Sequence, residues 1–416
     1  MSWPGRETAT SVTVANGPGA LSGLKIIDLS TVAAGPFCTQ ILGDHGAEVI
    51  KVEPPFGEVG RRMGPSFNQD GFSSYYFGLN RNKRAIALDL AQPAGVEVMH
   101  RLLAEADVLV NNFKPGTLEK FGLGYQEVLR ARHPRLIVAN ITGFGAVGPL
   151  GGLPGLDPVG QAMSGLMSYQ GEPDGRPLRA SSPVADLSTG LYLTIGILMA
   201  LQERHRSGMG QEIECTLLDS ALTLVHPYAS EFFMSGAEPR RLGNRNPTTA
   251  PQNVYPCADG FIILCCSNDG QFRNLCQVLG APEMWEDERY RTLARRFANQ
   301  DDVDARIIDF CAARGKQEAA MLFLKRGIPA APVLGFAEAM TQPHLAARGL
   351  TYSEPTTGYR MLGTPVKLGR TPGMLRRTPP RFGEHNREVL RGVGFTEPEI
   401  DSLINGSVIF ETPRES

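Results

Sequence analysis

From residue 24 to residue 141 the chain alternates between short apolar runs and longer segments punctuated like helices. This alternation limits the possible folds more than any other feature of the sequence. The runs at 24–29, 47–53, 84–88, 107–110 and 136–141 have the length and near-continuous apolarity of strands covered on both faces. Between the first two, Pro36 stands where a first-turn proline opens a helix and Gly46 where a helix closes. Segments 93–106 and 117–132 read as two more helices. Strands alternating with helices imply a parallel sheet with helices on both sides, so the spacing predicts an open, doubly wound, Rossmann-like α/β domain.

Further on, 143–158 is a loop dense in glycine and proline, 160–167 a helix of small residues and 172–177 a turn. Asp186 stands directly before an apolar segment, 187–201, that reads as a buried helix. A strand at 211–217 and a helix at 218–236 complete this region. After Gly236 the character changes: 239–256 is polar and proline-rich, and reads as a linker or active-site loop ahead of a strand at 261–266. With 416 residues the chain exceeds the roughly 250–300 that one core holds. We therefore expect a loose leader at 1–20, a large α/β domain at 21–225, a smaller α+β domain at 226–335 and a C-terminal segment at 336–416.

A formal charge of −2 gives no electrostatic case for a nucleic acid or membrane-surface partner. Seven cysteines, an odd number without a Cys-x-x-Cys pair, read as small buried hydrophobes in a reducing compartment rather than disulfides or a metal site. No apolar run reaches the about 18 residues of a membrane span, and the first twenty residues lack the apolar stretch of a signal peptide. The expected location is the cytoplasm.

Gly143-Phe144-Gly145-Ala146-Val147-Gly148 fits the spacing of a dinucleotide fingerprint. That motif works by aiming a helix N-terminus at a pyrophosphate, and the Pro149, Gly151, Gly152 and Pro154 that follow allow no helix to start. The loop Ser30-Thr31-Val32-Ala33-Ala34-Gly35-Pro36 is the better ligand candidate: small residues at a strand end lead into a helix N-terminus. Asp186, ahead of its apolar run, carries the signature of a helix N-cap, where backbone N–H groups would also keep a carboxylate ionised.

Several stretches, in order and spacing, resemble the class III CoA-transferase family, of the CaiB/BaiF type. They are Leu21-x-Gly23-Leu24 through Leu29, Ala34-Gly35-Pro36, Leu42-Gly43-Asp44-x-Gly46 through Glu53, Asn80-Arg81-Asn82-Lys83-Arg84 and Asn112-Phe113-Lys114-Pro115-Gly116. Gln161-Ala162-Met163-Ser164-Gly165-Leu166, Ala185-Asp186-Leu187-Ser188-Thr189-Gly190, Gly327-Ile328-Pro329 and Gly383-Glu384-His385 continue the match. The family includes formyl-CoA, carnitine and succinyl-CoA:dicarboxylate CoA-transferases.

The resemblance implies an interlocked homodimer whose C-terminal segment returns to the large domain. It implies CoA and acyl-CoA as substrates, with no permanently bound cofactor and no metal. It places CoA contacts on Val32, Ala33 and Ala34, phosphate contacts on Lys83 and Arg84, and the pantetheine path at Asn112 and Phe113 with Lys120 close after. An arginine common in the family after the second strand is Pro54 here, with Arg61 or Arg62 as substitutes. Asp186 takes the position of the covalent nucleophile that moves CoA from an acyl-CoA to a free acid, and Asp157 that of an acidic neighbour.

Two other readings of the same resemblance are a 2-methylacyl-CoA racemase and a non-catalytic acyl-CoA-binding protein. The racemases carry a histidine immediately before that second aspartate. Leu156 stands there and exchanges no protons. The segment 244–252 lacks the glycine run of oxalate-specific members, which disfavours oxalate. Arg61, Arg62, Arg179 and Arg245 are candidates to pair a second carboxylate of the acid, because a guanidinium fork matches a carboxylate. A dicarboxylate acceptor with succinyl-CoA as donor is the expected substrate pair.

Overall fold

The protein, described by a computed structural model over residues 18–354 and 357–414, separates into two compact units. Among the described residues, one holds 18–166, Arg179–Ala229 and 346–414 apart from 355–356; the other holds Met167–Leu178 and Ser230–Leu345. The expected leader lies outside the described residues as far as position 17.

The larger unit is built on strands β1 (Lys25–Asp28), β2 (Glu48–Glu53), β3 (Lys83–Ala87), β4 (Val108–Asn111), β5 (Ile137–Thr142) and β6 (Glu212–Thr216). They pair in the order β3-β2-β1-β4-β5-β6, all parallel. Successive side chains turn to opposite faces, as strand geometry requires. Ile26, Val49, Val110 and Ala139 pack with Leu193, Ile197 and Ala200 of the helix Val184–Ser207 and with Cys38 and Leu42 of helix α1 (Ala34–Asp44). Ile27, Ile50, Leu109 and Val138 pack on the other face with Val98, Met99 and Leu102 of the helix Pro93–Ala104 and with C-terminal Leu390 and Ile400. Two covered faces make the doubly wound sheet that the alternation predicts.

Strand order reverses between β1 and β4. Loops leaving the C-terminal ends of these two strands diverge, which opens the crevice where such sheets receive ligands. The crevice is lined by the loop from Leu29 to Ala33 and by Asn112-Phe113.

The C-terminal segment returns to this unit and closes the β3 edge. Phe410 N–H donates to the Ala87 carbonyl and His385 N–H to the Ala85 carbonyl, while Asn386 Oδ1 accepts from Ala87 N–H at 2.9 Å. Asn82 clasps the same segment, accepting from the N–H groups of Arg376 and Arg377 and donating to the Met374 carbonyl. The smaller unit carries its own antiparallel sheet of β7 (Gln252–Cys257), β8 (Gly260–Cys265) and β9 (Ala330–Pro332), with a separate core around Tyr255, Phe272 and Phe323.

Four elements differ from the sequence reading. The helix expected over 117–132 breaks into Thr117–Lys120, a π-turn Tyr125–Leu129 and Arg130–Arg132, because Gly122 takes a positive φ of 70°. The helix expected over 218–236 is two helices, Leu217–Leu224 and His226–Ser235. The segment read as a linker contains β7, whose pairing with β8 no local pattern announces. The helix expected to follow Asp186 begins at Val184 and so encloses it.

That long helix approaches α1 at Gly190, where a Cβ would stand 2.6 Å from the Ala34 carbonyl oxygen. A backbone carbonyl cannot yield, so a side chain there must displace the helix that carries Asp186. Gly190→Val is expected to lower the unfolding free energy by about 1–3 kcal/mol and to cut transfer activity more than its residual folded fraction accounts for. Denaturant melts paired with initial rates check this.

Candidate active site

Asp186 is the third residue of the helix Val184–Ser207, whose N-cap position is Pro183 and lacks a side-chain cap. The capping duty read from the sequence therefore does not fall on Asp186. Asp157 performs it instead. From the first position of its own helix, Asp157–Met163, its Oδ1 accepts from Ala185 N–H at 2.7 Å and Asp186 N–H at 3.2 Å. Its Oδ2 accepts from Gln161 Nε2 at 2.7 Å. Gln161 in turn holds the segment leading to Asp186, accepting from Ala180 N–H at 2.9 Å and donating to the Ala180 carbonyl at 3.3 Å.

Asp157 is thus buried with both oxygens satisfied, while the Asp186 carboxylate accepts no hydrogen bond among the described residues. Burial, and then the charge of Asp157, push the Asp186 carboxyl up from the usual range to about 6. This reverses the expectation that the helix terminus holds it ionised. A helix N-terminus contributes up to about 2 kcal/mol at a partly buried site. A rise of roughly two units corresponds to on the order of 3 kcal/mol, so desolvation and like charge outweigh the helix. At pH 7 the ionised form still leads by roughly ten to one.

Tyr75, on the helix Ser74–Leu79, joins these carboxylates. Its hydroxyl is half-buried and pushed up to about 12 by burial, then by the charges of Asp186, Asp157 and Glu58. It therefore stays protonated at neutral pH. No motif marks it in the sequence, where it is one of two adjacent tyrosines beside the Asn80–Arg84 run.

In the crevice loop, Asn112 bridges to Thr31: Oδ1 accepts from Thr31 N–H at 2.9 Å and Nδ2 donates to the Thr31 carbonyl at 2.8 Å. Phe113 is half-buried edge-on against Phe121, and Lys120 is exposed. The N–H of Val32 is spent on Glu58 Oε2 at 3.0 Å, whereas those of Ala33 and Ala34, at the head of α1, have no partner among the described residues.

The two cations assigned to phosphates are engaged elsewhere. Lys83 is fully buried and donates to Asp28, the Pro36 carbonyl and Asn80, so it supports the loop from beneath instead of reaching into solvent. Arg84 pairs with Glu48 and with Glu388. Strand pairing turns Lys83 inward, a fact that the charge run itself does not disclose.

The arginines divide similarly. Arg61 makes a two-point bond to Glu53 and also reaches Tyr76 and the Pro380 carbonyl. Arg245, in the smaller unit, pairs with Asp301 and Asp304. Among the described residues, Arg62 and Arg179 bond to carbonyl oxygens. The Gly143–Pro158 stretch folds into glycine turns, with Gly152 N–H donating to the Gly145 carbonyl, and no helix begins before Asp157. It forms no dinucleotide-binding turn.

The profile of CoA-transferase family III matches residues 21–386. The chain belongs to CoA-transferase family III. Among its relatives, the succinate–glutarate CoA-transferase of Agrobacterium fabrum is 41% identical over 89% of this chain and 94% of its own length. The succinyl-CoA:glutarate CoA-transferase of Mus musculus is 34% identical over 93% and 90%, respectively. The acetyl-CoA:oxalate CoA-transferase of Acetobacter aceti is 38% identical over 86% and 92%. A CaiB/BaiF family protein from Brucella suis superposes with a TM-score of 0.83 at 36% identity, covering 91% of this chain and all of that one. This family III member is an enzyme that transfers CoA between an acyl-CoA and an acid.

The raised Asp186 carboxyl makes the CoA-transferase less stable where that group is ionised. The folded state binds a proton more tightly than the unfolded chain, so stability from this group is present below about pH 4 and is lost as the pH rises through about 6. Asp186→Asn is expected to match wild type near pH 4 and to exceed it by on the order of 2 kcal/mol above pH 7. Chemical denaturation across that range checks the crossover.

Proposed function

We propose that the enzyme moves CoA from succinyl-CoA to a small dicarboxylate of the glutarate class through covalent intermediates on Asp186. The observation that carries this reading is the Asp186 carboxylate itself: largely buried, without a hydrogen bond among the described residues, largely ionised at neutral pH, and presented on a backbone that Asp157 holds.

The chemistry needs no proton transfer. An Asp186 oxygen attacks the thioester carbonyl carbon, the C–S bond breaks, and a CoA thiolate leaves an acyl–aspartyl anhydride. The thiolate then attacks the aspartyl carbonyl carbon, which releases the first acid as its carboxylate and leaves an aspartyl-CoA thioester. The acceptor carboxylate repeats the two steps in reverse order and regenerates Asp186. Each step exchanges one activated acyl group for another, which conserves the thioester energy. Leu156 beside Asp157 supplies no acid or base, in keeping with a route that moves no proton and against α-carbon racemisation. Tyr75, whose hydroxyl feels the charges of Asp186 and Asp157 and stays protonated, is our candidate donor to the oxyanions formed at the aspartyl carbonyl.

For the acceptor, Arg179 is seven residues before Asp186 on the segment that Gln161 clamps, with no acidic partner among the described residues. It suits recognition of the distal carboxylate of a dicarboxylate. The named succinate and glutarate relatives support a donor and acceptor of that length.

Incubation with succinyl-CoA followed by borohydride trapping and peptide mass analysis is expected to mark Asp186 and to leave Asp186→Ala unmarked. The marking rate should fall as pH drops below about 6, where the carboxylate takes up its proton. Acyl-CoA binding without any mark on Asp186 returns the protein to the binding-protein reading.

The outward side of the Asp186 helix exposes Leu191, Tyr192, Ile195, Leu198 and Met199, which lie on one helical stripe. By length and hydropathy this helix would span a membrane, although its other side packs into the core. We take the stripe to be covered by a second copy of the chain. Light scattering should give a dimer for wild type and a smaller species for Ile195→Glu.

A further inference from the structure

Val32 carries the backbone into the left-handed region, with φ at 67°. A β-branched residue enters that region only under external constraint. The constraint is visible. Val32 N–H donates to Glu58 Oε2 at 3.0 Å, and the Glu58 carboxylate is 2% exposed. Its other oxygen lies 3.3 Å from Lys51 Nζ in an ion pair without a hydrogen bond. Lys51, also fully buried, donates to the Ser30 carbonyl at 2.8 Å. Glu58 is itself fixed, since its N–H donates to Glu53 Oε2 at 3.1 Å.

Residues 30–32 are therefore gripped one after another by Lys51, Asn112 and Glu58. The next two N–H groups, of Ala33 and Ala34 at the head of α1, have no partner among the described residues. A single backbone N–H seldom needs a buried carboxylate to accept it. A charged acceptor binds it about twice as strongly as a neutral one, which suits a position where the backbone is strained.

We propose that Glu58 is a positioning residue of the acyl-CoA site: its carboxylate holds Val32 in the left-handed turn, so that the Ala33 and Ala34 N–H groups are presented to the oxygens of an acyl-CoA. The proposal rests on the reading of this loop as the acyl-CoA site. Glu58 touches no reacting atom and acts through Val32. Lys51 balances its charge and also holds the Ser30 carbonyl of the same loop.

The test compares three variants of the full-length enzyme: Glu58→Met, Glu58→Gln, and Glu58→Met combined with Val32→Gly. Methionine keeps the volume and removes the acceptor. Glutamine keeps a carbonyl oxygen for Val32 N–H. Both leave Lys51 without its ion pair, so their difference isolates the bond to Val32. Glu58→Met is expected to raise KM for succinyl-CoA about tenfold or more with a smaller change in kcat, a split that general loss of fold does not produce. Glu58→Gln recovers most of that loss. Val32→Gly in the methionine background also recovers it, because glycine enters the left-handed region without strain. Equal damage from Gln and Met, or no recovery with glycine, overturns the proposal and leaves Glu58 as a charge partner of Lys51.

Amide exchange over residues 31–35, with and without CoA, separates this from the reading beneath it. Protection by CoA in wild type together with a normal KM in Glu58→Met removes the role of Glu58 alone. No protection in wild type removes the site reading and this proposal with it.

Discussion

At the end of β1 a carboxylate lies where no water reaches it, and the crevice loop hangs from it. Asp28 accepts from the N–H and hydroxyl of Ser30, from the Thr39 hydroxyl and from Lys83. Burial alone would push its pKa up, but Lys83 and Lys51, with the two hydroxyls, hold it well below the usual carboxylate range. The group thus ties β1, β3 and α1 to the first turn of the loop. Isolated, any of these charges would cost several kcal/mol to bury, and removal of one partner from such a pair typically costs about 3–5 kcal/mol. The crevice is built on a buried polar floor: Asp28 and Lys83 at its centre, Lys51 and Glu58 beside them.

Above that floor the protein divides two neighbouring carboxylates between two tasks. Asp157 receives two backbone N–H groups and an amide, so its charge is solvated by the fold. Asp186 receives none, so its charge is stabilised by little except its own preference for water, which burial removes. Burial, and then the neighbouring charge of Asp157, raise the pKa of Asp186. The same geometry explains why the nucleophile candidate is destabilising: the fold tolerates a bare carboxylate because the helix behind it is anchored at Gly190 and along the core.

Much of this was legible in advance. Strand runs and helix punctuation specify local structure over a few residues, so the five parallel strands up to 142 and the helix Pro93–Ala104 could be read within a residue or two. The Asp157–Asp186 pairing was legible through the family resemblance, which carries spatial information that spacing lacks. The roles of Lys83, Arg84, Arg61 and Arg245 were not legible, because whether a cation faces solvent depends on which acidic residue the fold brings beside it. Asp28 for Lys83, Glu388 for Arg84 and Asp304 for Arg245 are all distant in sequence. Tyr75 and Glu58 carry no local mark at all.

The sequence by itself determined the layered α/β architecture, the position of the crevice at the β1 and β4 ends, and membership in a family that transfers CoA, since these rest on short-range periodicity and on ordered motifs. Only the tertiary structure decided which carboxylate caps and which stays bare, and which N–H groups of the first loop remain free. Those outcomes are set by hydrogen bonds between segments tens of residues apart, such as Asp157 to Ala185 and Glu58 to Val32. A side chain's partner, its burial and hence its acidity exist only once such segments meet.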